Sequence, residues 1–135
     1  MKDIITGISG KAEAEVSSDK LASAMGSGSL DVFATPAMVA LMEKSACNCL
    51  EKFLENDETT VGTELNIKHT SATPNGMNVT AEAVLTNING REFTFEVKAF
   101  DECGLIGCGL HKRFLVYDEK FTAKTNEKLS QEKRA

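Results

Sequence analysis

Between Pro36 and Leu54 the chain carries a helical stretch that is apolar around most of its circumference. Its polar residues gather on a single stripe formed by Lys44, Asn48, Glu51, Lys52 and Glu55. A helix with so narrow a polar face predicts enclosure by other elements rather than a place on the surface. One residue breaks the pattern. Glu43 has Val39 and Ala40 before it and Ala46 and Cys47 after it, three and four residues away on each side. At about 100° per residue, its side chain points roughly 120° from the centre of the polar stripe. A carboxylate on an apolar face must be paired, protonated or put to use, because burying it ionised and alone is very costly.

The rest of the chain supplies strands to do the enclosing. Lys11–Val16 alternates apolar and polar residues and predicts a first strand. Leu21–Leu30 is rich in Ser, Gly and Ala and reads as a mobile connection or a short irregular helix. Thr35-Pro36 then marks the helix start, with Thr35 as N-cap and Pro36 at the first helical position. After the helix, Thr60–His69 sets Val61, Thr63, Leu65, Ile67 and His69 on one face, with Gly62, Glu64, Asn66 and Lys68 on the other. Pro74-Asn75-Gly76 makes a turn into Met77–Ile88, whose Met77, Val79, Ala81, Ala83 and Leu85 share a face. Asn89-Gly90 is a two-residue hairpin signal before Arg91–Phe100, which turns Phe93, Phe95, Val97 and Ala99 inward. A break at 101–104 leads to the final strand, Leu105–Tyr117, where Gly107 and Gly109 point to a bulge or a close backbone approach. From Asp118 to the end, residues 118–135 read as a short helix or a polar tail. The 135 residues are read as one domain. One long apolar helix followed by an antiparallel meander gives an α+β architecture: about five antiparallel strands wrapped around a central helix, the geometry of a hotdog fold.

Charge and cysteine usage narrow the function. Fifteen basic against twenty acidic residues leave a net charge of −5, which argues against nucleic acid as a partner. A small phosphorylated ligand held by one or two local cations stays compatible with that balance. The N-terminus has no hydrophobic region of signal-peptide length, and no run approaches the ~20 apolar residues of a membrane span. Cys47, Cys49, Cys103 and Cys108 are therefore read as reduced thiols of a cytoplasmic protein. Their spacing contains no Cys-x2-Cys pair, so no metal is expected.

Three groups carry the candidate chemistry: Thr35 at the helix start, Glu43 two turns in, and His69 on the next strand. The helix N-terminus offers unpaired amides to an oxyanion formed when a thioester or ester carbonyl is attacked. His69 suits a general acid or base near neutral pH. Glu43 suits orienting His69, activating water or attacking as a nucleophile. Thr35 is either a nucleophile or a hydroxyl that positions water or the carbonyl. Eight residues of helix span roughly 12 Å, so Thr35 and Glu43 of one chain cannot be hydrogen-bonded to each other. Either His69 and a substrate lie between them or the partners come from two subunits, which favours a two-fold dimer. Structural readings compete: an N-cap for Thr35, a buried pair with Lys or Arg for Glu43, a hydrogen-bonded core ring for His69. His111 is read as structural, Gly62 as tight packing or ligand approach, and Arg113 as a strand residue or a phosphate contact.

From about Val32 to Lys124 the chain resembles the hotdog-fold acyl-CoA thioesterases, specifically the fluoroacetyl-CoA thioesterase-like group. The resemblance rests on Phe33-Ala34-Thr35-Pro36-Ala37-Met38-Val39-Ala40-Leu41-Met42-Glu43, on Val61-Gly62-Thr63, and on His69-Thr70-Ser71-Ala72-Thr73-Pro74-x-Gly76. It continues through Gly107-x-Gly109-x-His111-x-Arg113 and Glu119-Lys120-Phe121-x-Ala123-Lys124. It implies catalytic roles for Thr35, Glu43 and His69, ligand contacts for Gly62 and Arg113, a homodimer with interface sites (pairing further into tetramers is left open), and no metal or cofactor. The segment Ala24–Ser29 lacks the bulky aromatic lid of the fluoroacetyl-selective enzyme. The expected activity is thus hydrolysis of a short-chain acyl-CoA to free acid and coenzyme A, without the unusual acyl group. The alternative is a hotdog module that binds acyl-CoA or another small ligand without turnover.

Overall fold

The computed structural model describes residues 1–132. Five strands form one antiparallel sheet: β1 (Ser9–Glu15), β2 (Glu58–His69), β3 (Asn78–Asn89), β4 (Glu92–Asp101) and β5 (Gly104–Tyr117), in the spatial order β1-β3-β4-β5-β2. The short α1 (Ala22–Met25) lies in the Ser/Gly/Ala-rich connection, and the long α2 (Thr35–Leu50) crosses the inner face of the sheet. The chain ends on α3 (Asp118–Asn126) and α4 (Lys128–Glu132), so the polar tail is helical as far as it is described; residues 133–135 lie outside the described residues. The hotdog architecture expected from the helix and the meander is the one observed.

The core follows strand parity. Val79, Ala81, Ala83 and Leu85 of β3 and Phe93, Phe95, Val97 and Ala99 of β4 are buried as the alternation requires. Against them α2 packs Met38, Leu41, Met42, Ala46, Cys49 and Leu50. The alanines on β3 let the helix sit low, and each phenylalanine on β4 contributes about 1.5–3 kcal/mol through burial. Gly10 extends this close approach to β1, since a side chain there would run into the backbone of Ser45 and Cys49.

Several boundaries differ from expectation. The helix gives way at Leu50 to a 3-10 turn over Glu51–Phe53 instead of running to Leu54. The β3–β4 hairpin closes on Gly90-Arg91 rather than Asn89-Gly90, because Asn89 still pairs with Glu92; Gly90 takes the positive φ of 63°. Gly107 and Gly109 prove to be close approaches: a Cβ on Gly107 would lie 2.6 Å from the Met38 sulfur, and one on Gly109 would strike the Asn66 carbonyl. The four cysteines are free. Among the described residues no helix is long and apolar enough to cross a membrane.

Candidate active site

Two clusters of polar side chains face α2 from the β5–β2 half of the sheet. The first forms at the helix start. Ala34, with φ −71° and ψ 139°, is the N-cap, and Thr35 is the first helical residue. The expected N-capping role of Thr35 is therefore corrected, and Pro36 shifts to the second position. The Thr35 hydroxyl is engaged elsewhere, with Oγ1 2.8 Å from His69 Nδ1. Both residues line a cavity of about 430 Å³ whose other walls include Ser27, Gly28, Phe33 and Ser71. Ser27, Gly28 and Ser29 thus border this cavity with small side chains, followed by Leu30, and this stretch carries no aromatic residue.

Burial pushes His69 below the ordinary histidine value of 6.5, and a backbone group of Ser71 opposes that shift. The ring is accordingly neutral at pH 7. In the tautomer where Thr35 donates its hydroxyl proton to Nδ1, the ring hydrogen is on Nε2. That Nε2 is buried and has no hydrogen-bond partner among the described residues. A buried ring nitrogen without a partner costs about 1–3 kcal/mol.

The second cluster sits two turns along α2. Glu43 Oε2 lies 3.6 Å from Arg113 Nη1. The guanidinium is almost fully engaged: Nε donates to Thr60 Oγ1 at 2.9 Å, Nη2 donates to the Thr60 carbonyl at 2.9 Å, and Nη1 lies 3.2 Å from His111 Nε2. His111 is wholly buried, stacks on Phe95, and places Nδ1 2.9 Å from the Glu64 carbonyl. Since a carbonyl only accepts, Nδ1 carries the hydrogen and Nε2 accepts from Arg113. Burial foremost, helped by the Arg113 charge, holds this ring below the usual range; the Glu64 carbonyl and the Glu43 charge act in the opposite sense.

Gly62 completes the cluster from an unexpected side. Alternation along β2 predicts it on the face opposite His69. A bulge at Thr63 reverses the parity instead: Gly62 pairs with Arg113 and Glu64 with Lys112. Gly62 therefore faces inward with Thr60, and a Cβ there would lie 2.8 Å from Glu43 Oε2 and 3.3 Å from Arg113 Nη1. Only a residue without a side chain leaves the Glu43 carboxylate its place. The structure thus brings Thr35 to His69, and Glu43 to Gly62 and Arg113, but keeps the two clusters apart within the chain; Glu43 is not among the walls of the Thr35–His69 cavity. Sequence reasoning passed over His111 and Thr60 as site residues. The signal available for His111 was its inward parity with Arg113, two residues on.

Known proteins similar to this chain in sequence and fold include thioesterases. The family model for fluoroacetyl-CoA-specific thioesterase matches residues 16–119. A fluoroacetyl-CoA thioesterase from Streptantibioticus cattleyicolor is 41% identical over 98 residues, covering 73% of this chain and 70% of that protein. The solved structure of a fluoroacetyl-CoA thioesterase variant in complex with acetyl-CoA superposes with a TM-score of 0.88 at 33% identity, covering 93% of this chain and 98% of the other. A thioesterase superfamily member from Thermus thermophilus reaches a TM-score of 0.91 at 25% identity over the whole of both chains. Fold and sequence agree: the chain belongs to the fluoroacetyl-CoA-specific thioesterase family and is a thioester hydrolase.

Proposed function

We propose that this enzyme hydrolyses short-chain acyl-CoA thioesters at sites completed by two copies of the chain. The observation that carries the reading is the 2.8 Å contact between Thr35 Oγ1 and His69 Nδ1 on the wall of a cavity at the start of α2. His69 is neutral and already aligned to take a proton from the Thr35 hydroxyl, or from a water in its place. The start of α2 offers the backbone amides of Thr35 and Ala37, which lack intrahelical acceptors, as donors to a developing oxyanion. Glu43, held by Arg113 and given room by Gly62, supplies the carboxylate that activates water or stabilises the charged His69 ring.

A dimer supports this chemistry because one chain leaves the relevant surfaces open. Thr35, Val39, Glu43 and Cys47 form one ridge of α2, yet none of the four is buried. β2 is an edge strand, and its Leu65 is 45% exposed. An unpaired edge with an exposed leucine beside a half-covered helix is a surface suited to a second copy. In the proposed assembly, Glu43 of one protomer faces the Thr35–His69 pair of its partner. Four unpaired thiols fit a reduced, cytoplasmic setting for it.

Steady-state thiol release with acetyl- to butyryl-CoA tests the reaction, with Glu43→Ala and His69→Ala expected to be far slower than the parent. Variants as active as the parent would remove these assignments. Mixing Thr35→Ala with Glu43→Ala chains tests the shared site. Mixed dimers regain one intact site if the partners come from different subunits, restoring about a quarter of parental activity. No recovery on mixing would place the whole site in one chain.

A further inference from the structure

The Glu43 carboxylate stands at the end of a chain of contacts that begins inside the sheet. At its buried end, His111 has both ring nitrogens engaged, Nδ1 with the Glu64 carbonyl at 2.9 Å and Nε2 with Arg113 Nη1 at 3.2 Å. His69 differs, since its Nε2 has no partner among the described residues. The neighbours of His111 also fix its protons: a carbonyl only accepts and a guanidinium only donates, so Nε2 presents a lone pair to Arg113. Burial, the main force holding this ring below 6.5, keeps that lone pair free of a proton at neutral pH.

The guanidinium is held at all three nitrogens. Thr60 accepts from Nε and Nη2, each at 2.9 Å, and His111 accepts from Nη1. Nη1 is also the nitrogen that faces Glu43, at 3.6 Å. A charge-assisted hydrogen bond between such groups closes to about 2.7–2.9 Å, so Arg113 attracts the carboxylate without clasping it. A Cβ on Gly62 would meet Glu43 Oε2 at 2.8 Å and both Arg113 Nη1 and His111 Cε1 at 3.3 Å, so the three groups converge on one point. The Glu43 side chain keeps 36% of its surface exposed, against 9% for Arg113. We propose that His111 is a positioning residue for the hydrolysis: by accepting from Nη1 it holds the Arg113 guanidinium back from Glu43. The carboxylate is then oriented by the positive charge and keeps its oxygens for the reacting water or the charged imidazole. The proposal rests on the catalytic reading of Glu43 given above.

Asparagine and glutamine separate the two bonds of the ring, because the Asn amide overlays Nδ1 and the Gln amide reaches the place of Nε2. His111→Asn keeps a donor for the Glu64 carbonyl and removes the acceptor for Arg113, while His111→Gln does the reverse. Thiol release from acetyl-CoA is measured for both, with melting temperature followed in parallel. His111→Asn is expected to lose about tenfold to a hundredfold in kcat with KM unchanged. His111→Gln should recover kcat to within a few-fold of the parent, although each variant lacks one buried hydrogen bond and melts below it. In a Glu43→Gln background, His111→Asn should lower kcat no further, because the group being positioned is gone. A kcat that follows melting temperature in both variants, or the same loss repeated in the Glu43→Gln background, overturns the proposal. If His111→Asn does not fold, His111→Gln carries the test: a kcat as low as that of Glu43→Gln overturns it. The two readings fail separately. Glu43→Gln as active as the parent removes the catalytic carboxylate, whereas a slow Glu43→Gln beside a fully active His111→Asn removes only the role of His111.

Discussion

The two halves of the sheet are built to opposite rules. In the β3–β4 half every inward position from Val79 to Leu85 and from Phe93 to Ala99 is apolar and buried, and the strands meet the helix through simple packing. In the β5–β2 half the inward face mixes the apolar Ile106, Leu115, Leu65 and Ile67 with Thr60, Gly62, His111, Arg113 and His69. The first half needs only volume, so its side chains are interchangeable with others of similar size. The second needs particular atoms at particular distances, and it leaves a buried nitrogen of His69 without a partner. Close apolar packing dominates one half, and the other adds the polar groups that the proposed reaction uses.

Substitutions should separate the halves. The largest effect is expected for Glu43→Gln, which keeps shape and removes the charge. It should lower kcat by about 10²–10⁴-fold with little change in melting temperature. Equal activity of this variant would mean that the carboxylate only anchors Arg113. In the packed half, Phe95→Ala should cost about 3–5 kcal/mol of stability by opening a cavity beneath His111, measured by denaturant unfolding, while the folded fraction keeps most of its kcat. Loss of activity without loss of stability there would show that His111 is tuned through its stacking on Phe95. A smaller effect is expected for Thr60→Val, which deprives Arg113 Nε of its acceptor and should cost about 1–3 kcal/mol. The same variant should lower activity several-fold by loosening Glu43, a loss that a purely structural threonine would not produce.

The smallest effect is a pH dependence shared by both histidines of the reactive half. His69 and His111 are each held below their unfolded value of 6.5, chiefly by burial. Above that pH both states carry neutral rings and nothing changes. As pH falls below 6.5 the unfolded chain takes up protons that the folded chain refuses, so stability declines until the folded values are passed. Unfolding free energy should therefore be flat from pH 7 to 8 and fall below 6.5. The His69→Gln and His111→Gln variants should each remove part of that slope. An unchanged slope in both would assign the acid sensitivity to other groups. Activity should share the acid limb, since protonated His69 cannot accept the Thr35 hydrogen.

Much of this was legible beforehand. Alternation along Met77–Ile88 and Arg91–Phe100 names the buried residues of β3 and β4 correctly, because parity is a local property of a strand. The misplaced side of Glu43 on its helix singles it out for the same reason. Parity fails on β2, where Gly62 lands on the inner face: the bulge at Thr63 arises from how the strand registers against β5, some fifty residues away. Thr35 reads as a cap because Thr before Pro usually is one, but its hydroxyl finds His69 across the fold instead of an amide nearby.

By itself, then, the sequence determined the element order, the apolar faces, the hotdog architecture and, through its shared motifs, the class of reaction. Each of these depends on residues near one another in the chain or on spacings preserved as a whole. The tertiary structure decided which side of β2 Gly62 occupies, where the Thr35 hydroxyl points, how Arg113 divides its donors, and that His111 belongs with Glu43. Those are contacts between residues far apart in sequence, and their geometry is fixed by register and packing, which no local pattern encodes.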